Sequence, residues 1–238
     1  GAKKVINKLL ELDKQVFVLT NNSTKTRAQL SDKLKAFGIP INPENILSSA
    51  YLTAETVSKN FPLAIAYVIG EEGLKEELTN KNIDVLNPWQ EDNNEDYFDF
   101  PLTDVQCLIV GMDRQLTYTK LARAMNILKN DEVEFIATNA DITFPTPKGL
   151  VPGGGAMINI LETLSDKNID LVIGKPKPLM FKMALELANV KKERVVMFGD
   201  RLETDIIGAK KVGIKSVFIS TGVSSSKDLA DTPEEHQP

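Results

Sequence analysis

Strand-like and helix-like apolar runs alternate from one end of the chain to the other, and this restricts the fold more than any other feature. "QVFVLT" is followed by the helical pattern "STKTRAQLSDKLKAFG", for which Ser23 or Thr24 is the expected cap and Gly38 the stop. A middle series then sets strands "AIAYVIG", "IDVLN", "VQCLIVGM" and "VEFIATN" among helical patterns such as "EEGLKEELTNKN" and "TYTKLARAMNILKN". The last series reads strand "DLVIGK", helix "PLMFKMALELANV", strand "RVVMFGD", helix "TDIIGAKKVG", strand "SVFIS". Such alternation predicts parallel sheets with helices on both faces. The 238 residues are enough for one large domain or two modest ones. The middle series lacks the polar strand ends of the outer ones and reads as an insertion. The expected fold is α/β: a doubly wound, parallel-sheet, Rossmann-like core over 1–62 and 170–238, with an α/β domain inserted over 63–169.

In an open parallel sheet, ligands bind beyond the carboxyl ends of the strands, so the residues that close each strand matter most. "QVFVLT" closes on Thr20, Asn21 and Asn22, "DLVIG" on Lys175 and "RVVMFG" on Asp200, with Asp205 at the start of the next helix. A hydroxyl with nearby backbone N–H groups, a lysine and a carboxylate suit a metal-bound phosphate. Thr20 and the Asn21 amide can donate to phosphoryl oxygens, Lys175 offsets their charge, and Asp200 is a hard oxygen ligand for Mg²⁺. Each piece also has a plainer reading. Thr20-Asn21-Asn22 could cap a helix, Lys175 could be a surface lysine before a proline, and Asp205 could simply favour a helix start.

Composition narrows the alternatives. A net charge of −5 and a pI near 5.1 argue against a nucleic-acid binder. No stretch reaches the roughly 18 apolar residues that a membrane span needs. The single cysteine, Cys107, lies in an apolar run and reads as core; with no disulfide to form within the chain, a reducing compartment, the cytoplasm, is expected. "GGGAM" lacks the G-x-G-x-x-G spacing of a dinucleotide site, and the sole histidine, His236, sits in a polar tail. The acidic segment "PWQEDNNEDYFDFP" reads as a solvated loop.

"LTNNSTKT", "GKPKP" and "GDRLETDIIGA" together resemble motifs II, III and IV of the haloacid-dehalogenase-like phosphatases. "ATNADITFPTPKGLVPGGG" resembles the cap of the subgroup that includes 4-nitrophenylphosphatase, phosphoglycolate phosphatase and pyridoxal phosphatase. The resemblance implies that Thr20 binds phosphate, Lys175 steadies the phosphoryl-enzyme, Asp200 binds Mg²⁺, and Asp205 orients metal waters or Lys175. The insertion would be a cap that moves relative to the core and closes over a small phosphate ester. A homodimer through the cap is compatible with the family. Substrate choice would lie in the loop from Asn139 to Pro147. Thr143 stands near the place where pyridoxal phosphatases carry a histidine, which favours small esters such as phosphoglycolate.

The same resemblance calls for a D-x-D pair, nucleophile and general acid/base, at the end of a first strand. No D-x-D occurs in the sequence. The expectation is therefore a phosphatase whose nucleophile lies outside these residues, upstream of Gly1, so that residues 1–238 alone are inactive. The alternative is a non-catalytic relative that binds a phosphorylated ligand or protein partner.

Overall fold

The computed structural model describes residues 1–87, 97, 104–146 and 148–238. The expected acidic loop at 88–101 lies outside the described residues, Tyr97 apart, as does Pro147 at the end of the 139–147 loop.

Among the described residues the largest sheet has five parallel strands, in the order β4 (Asp84–Val85), β3 (Ile65–Ile69), β5 (Cys107–Val110), β6 (Glu134–Ala137) and β9 (Leu171–Val172). Side chains alternate across it as the strand period requires. Ala66, Val68, Cys107, Ile109 and Ile136 face one apolar layer. Tyr67, Ile69, Leu108, Val110, Phe135 and Ala137 face the other, where α5 (Tyr118–Ile127) and α6 (Gly154–Ser165) pack. Both faces being covered explains why these strands read as unbroken apolar runs. Burial and the nearby Glu134 push the Cys107 thiol up to about 12, as befits a core residue.

The outer segments form two smaller parallel pairs. β1 (Val18–Thr20) pairs with β2 (Ile46–Ser48), and β10 (Val196–Gly199) with β11 (Lys215–Phe218). The strand expected at 170–175 is present as β9, but it hydrogen-bonds to β6 and completes the middle sheet rather than joining β1 or β10. Its short apolar run suits either neighbour, so the sequence does not select one. Among the described residues β1 and β10 are not paired with each other. β10 and β11 leave Val196, Phe198 and Val217 exposed. An antiparallel hairpin of β7 (Thr143–Thr146) and β8 (Gly149–Pro152) occupies what reads in the sequence as a Pro/Gly loop.

Helices α1 (Ala2–Glu11) and α2 (Arg27–Ala36) cover β1 and β2, with Ile6, Leu10, Leu30 and Leu34 against Ile39, Ile41 and Ile46. The cap of α2 is Thr26, not Ser23 or Thr24. Its side chain accepts from Gln29 N–H while Gln29 returns a bond to Thr26 N–H, a full capping box. The residues before it are occupied otherwise, because Asn22 Oδ1 accepts from Thr24 N–H and Lys25 N–H, both at 3.1 Å.

Helix α3 (Ser49–Asn60) leads from β2 toward the insertion and packs against α4 (Glu72–Thr79). Leu47, Leu52, Ala54 and Val57 share one apolar cluster with Val68, Leu74, Leu78 and Ile109 of the middle sheet's layer. Ile173 and Met180, the latter on α7 (Leu179–Ala188), extend that cluster to the last series. Rigid displacement of the middle sheet would therefore open a continuous core. Beyond β10, α8 (Ile207–Val212) and α9 (Ser226–Asp231) complete the described elements. Among the described residues no helix is long and apolar enough to cross a membrane.

Leu52 is fully buried in the shared cluster. Leu52→Ala should cost about 2–5 kcal/mol. Hydrogen exchange in β3 and β5 should accelerate together with that in α3. Unchanged protection of β3 and β5 would show that the two parts unfold separately.

Candidate active site

The carboxyl ends of strands from different sheets converge. Residues 20–25 follow β1, residues 111–114 follow β5, residues 138–141 follow β6, residues 173–175 follow β9 and residues 200–201 follow β10. The segment after β1 touches the middle sheet directly, since Met112 N–H donates to Ser23 Oγ at 3.3 Å. Asn139 Nδ2 donates to Asn21 O at 3.0 Å, and Ser49 Oγ donates to the same carbonyl at 2.8 Å.

The Asn21 side chain joins these loops. Its Oδ1 accepts from Lys175 N–H at 2.8 Å and its Nδ2 donates to Lys175 O at 3.0 Å, so the carboxamide pairs with the Lys175 backbone as a neighbouring strand would. Nδ2 also donates to Asp141 Oδ2 at 3.1 Å, which commits both of its hydrogens. Gly174 permits the approach, because a Cβ there would lie 2.6 Å from Asn21 Oδ1 and 2.8 Å from Thr138 O. The expected phosphate role of Asn21 is thus left to its backbone N–H.

Lys175 extends into a nearly buried position. Its Nζ donates to Asp205 Oδ1 at 2.7 Å and to Leu19 O at 2.9 Å. The Lys175 and Asp205 side chains are 10% and 6% exposed. Two of the three ammonium hydrogens are placed, leaving the third for a ligand. Asp205 Oδ2 accepts from Asp200 N–H and Arg201 N–H, both at 3.2 Å, so one carboxylate fixes the lysine and the turn after β10 together. It gets that close because Gly199 has no side chain: a Cβ there would lie 2.2 Å from Asp205 Cβ.

Asp200 closes β10 and is half-buried. Its Oδ2 accepts from Val223 N–H at 2.8 Å and its carbonyl from Ser224 N–H at 2.9 Å. Among the described residues no group of three or more His, Cys, Asp or Glu converges as a metal cage. Mg²⁺ does not need one, since it keeps several waters and takes one or two carboxylates together with phosphate oxygens. The Asp200 carboxylate, oriented by Val223 N–H, fits one position of that donor set.

Thr20 Oγ1 accepts from Asn22 N–H at 3.2 Å, and Asn22 Oδ1 shapes the following turn. Thr143 opens β7, and no hydrogen bond or ion pair among the described residues ties it to Asn21, Lys175 or Asp200. His236 lies near Glu235 in the tail. Two residues that the sequence reading passed over belong to the network. Asp141 lies beyond β6, and Arg201 follows Asp200; Arg201 Nη1 is 3.6 Å from Asp141 Oδ2. Their signal is that each is a charged residue just beyond a strand end.

Residues 1–84 match a family model described as haloacid dehalogenase-like hydrolase, and residues 172–238 match one described as HAD-hydrolase-like. The chain is 35% identical over 229 residues to the acid sugar phosphatase of Staphylococcus aureus (strain USA300), covering 96% of this chain and 82% of that protein. It is 34% identical over 211 residues to the Staphylococcus epidermidis acid sugar phosphatase, covering 89% of this chain and 75% of that protein. The structure of the p-nitrophenyl phosphatase from Archaeoglobus fulgidus superimposes with a TM-score of 0.85 at 29% identity, covering 98% of this chain and 84% of that one. The Thermotoga maritima 4-nitrophenylphosphatase gives 0.86 at 28% identity, over 100% of this chain and 84% of that one.

The Lys175–Asp205 pair has a measurable signature. Asp205→Ala leaves a nearly buried ammonium unpaired and should lower the unfolding free energy by about 3–5 kcal/mol. Adding Lys175→Met should restore part of it, giving a coupling of about 1–3 kcal/mol in a urea-unfolding double-mutant cycle. Additive losses would mean that the two charges do not depend on each other.

Proposed function

The chain belongs to the haloacid dehalogenase-like hydrolases, and from that membership we propose a Mg²⁺-dependent phosphomonoester hydrolase acting on small phosphate esters. The observation that carries the proposal is the Lys175 ammonium, held by Asp205 and Leu19 O where the loops after β1, β6, β9 and β10 meet. A nearly buried cation fixed in two of its three directions is preorganised for a phosphoryl group. Thr20 Oγ1–H and the backbone N–H groups beside it donate to phosphoryl oxygens. Lys175 offsets the charge that builds on them. Asp205 positions Lys175 and the Asp200 turn. Asp200 would hold Mg²⁺, which when bound supplies charge neutralisation at the phosphoryl oxygens. The cap is the inserted segment of about 63–169, and its 139–147 loop reaches the crevice through Asn139 and Asp141.

The phosphoryl acceptor is a carboxylate from outside these 238 residues. Its oxygen attacks phosphorus, the ester oxygen leaves as the alcohol after gaining a proton, and water cleaves the acyl phosphate to give inorganic phosphate. This is supported by the lack of any D-x-D in the sequence and by the one-sided pairing of β1 and β10, whose Leu19 and Met197 meet in one apolar cluster. A strand entering beside them would end between Thr20 and Asp200. The missing pair leaves a second reading as the alternative, a phosphate-binding relative without catalysis. The named relatives are an acid sugar phosphatase and a p-nitrophenyl phosphatase, which supports small phosphate esters as the substrate class.

Hydrolysis of 4-nitrophenyl phosphate by residues 1–238 should be negligible beside that of the gene's full product. Mg²⁺-dependent turnover by 1–238 alone would refute an external nucleophile, and an inactive full product would favour the binding reading. In the full product, Asp200→Asn should lower kcat by about 10²-fold or more while leaving unfolding cooperative. An Asp200→Asn enzyme of ordinary activity would remove Asp200 from the metal.

A further inference from the structure

The contacts around Lys175 close into a ring. Asp141 accepts from Asn21 at 3.1 Å, Asn21 grips the Lys175 backbone at 2.8 and 3.0 Å, and Lys175 donates to Asp205 at 2.7 Å. Asp205 accepts from Arg201 N–H at 3.2 Å, and the Arg201 side chain returns to Asp141. Every link is within hydrogen-bond distance except the last, where Arg201 Nη1 stands 3.6 Å from Asp141 Oδ2. Those two side chains are also the open ones, 26% and 20% exposed against 10% and 6% for Lys175 and Asp205. Asp141 is the only ion-pair partner of the Arg201 side chain among the described residues.

Resting on the phosphomonoesterase reading, we infer that Arg201 is a specificity-determining residue that binds a carboxylate on the leaving group of the substrate, and that Asp141 holds its place until the substrate arrives. The guanidinium fork fits a carboxylate with two parallel N–H···O bonds. Asp141 offers it one oxygen beyond hydrogen-bond range, and that oxygen is already engaged by Asn21. An incoming carboxylate that presents both oxygens makes the better partner. Exchanging Asp141 for it leaves Asp141 bonded to Asn21, so the rest of the ring survives. Arg201 adjoins Asp200 in sequence, and its guanidinium stands 3.6 Å from the carboxylate that Asn21 bonds, which puts this second anion site beside the proposed phosphoryl site. The ammonium and the guanidinium then read the two ends of one small substrate, a phosphate at one end and a carboxylate at the other.

The test uses the full gene product with Mg²⁺ and three probes: 2-phosphoglycolate, glucose 6-phosphate and 4-nitrophenyl phosphate. Arg201→Met should lower kcat/KM for 2-phosphoglycolate relative to 4-nitrophenyl phosphate by about tenfold to a hundredfold, with Arg201→Lys intermediate. Asp141→Asn keeps the acceptor for Asn21 but removes the competing charge, and should shift the same ratio the other way, by about threefold. Calorimetry with phosphonoacetate against methylphosphonate should show the same two opposed shifts without turnover. An unchanged ratio in Arg201→Met, an equal fall on all three esters, or a fall on glucose 6-phosphate as large as that on 2-phosphoglycolate overturns the assignment. If the unsubstituted product hydrolyses none of the esters, the phosphatase reading fails and the phosphonate arm alone decides the role of Arg201.

Discussion

The Asn21 carboxamide is the piece on which the arrangement of the crevice depends. It meets the N–H and C=O of Lys175 as a neighbouring strand would, across 154 residues of sequence. An aspartate in its place could accept from the Lys175 N–H but could not donate to the carbonyl or to Asp141. That loss would leave a carbonyl without its donor and set two carboxylates against each other. A buried polar network of this kind fixes geometry only when every member is satisfied. Here Asn139 and Ser49 also hold the Asn21 carbonyl, so both backbone and side chain are fixed from several directions.

Around that clamp, charge is placed economically. Asp205 serves Lys175 and two successive backbone N–H groups, which offsets the desolvation that a nearly buried pair would otherwise suffer. The shared apolar cluster beneath sets a second constraint. Leu52 and Val57 of α3 pack in one apolar cluster with Val68 and Ile109 of the middle sheet, so the segment that leads into the insertion and the insertion's own strands share a core. Of the charged side chains at the crevice, Arg201 and Asp141 are less buried than Lys175 and Asp205.

Much of this was legible in the sequence. The runs "AIAYVIG", "VQCLIVGM" and "VEFIATN" announced buried parallel strands because both faces are apolar, and all three are strands of the middle sheet. Lys175 and Asp205 stood out as charged residues at strand and helix junctions, and the structure brings them together. What escaped notice has physical reasons. β2 is only Ile46–Ser48, too short to show a period. β7 and β8 carry Pro145 and Pro152, which argue against strands anywhere but in an isolated pair such as this hairpin. "DLVIG" carries no mark of which sheet will accept it. The clamp by Asn21 was hidden because its partners are backbone atoms, and backbone atoms leave no signature in a sequence. Asp141 and Arg201 were passed over because a charge pair between two loops has no spacing rule.

The exposed strand pair has a practical side. β10 and β11 present Val196, Phe198 and Val217 to solvent, and β10 has a neighbour on one side only among the described residues. A row of unmet N–H and C=O groups beside exposed apolar side chains is a template for pairing with another chain. An edge of this kind favours association between chains as concentration rises, and a charge placed at Phe198 would weaken that tendency without touching Lys175 or Asp205.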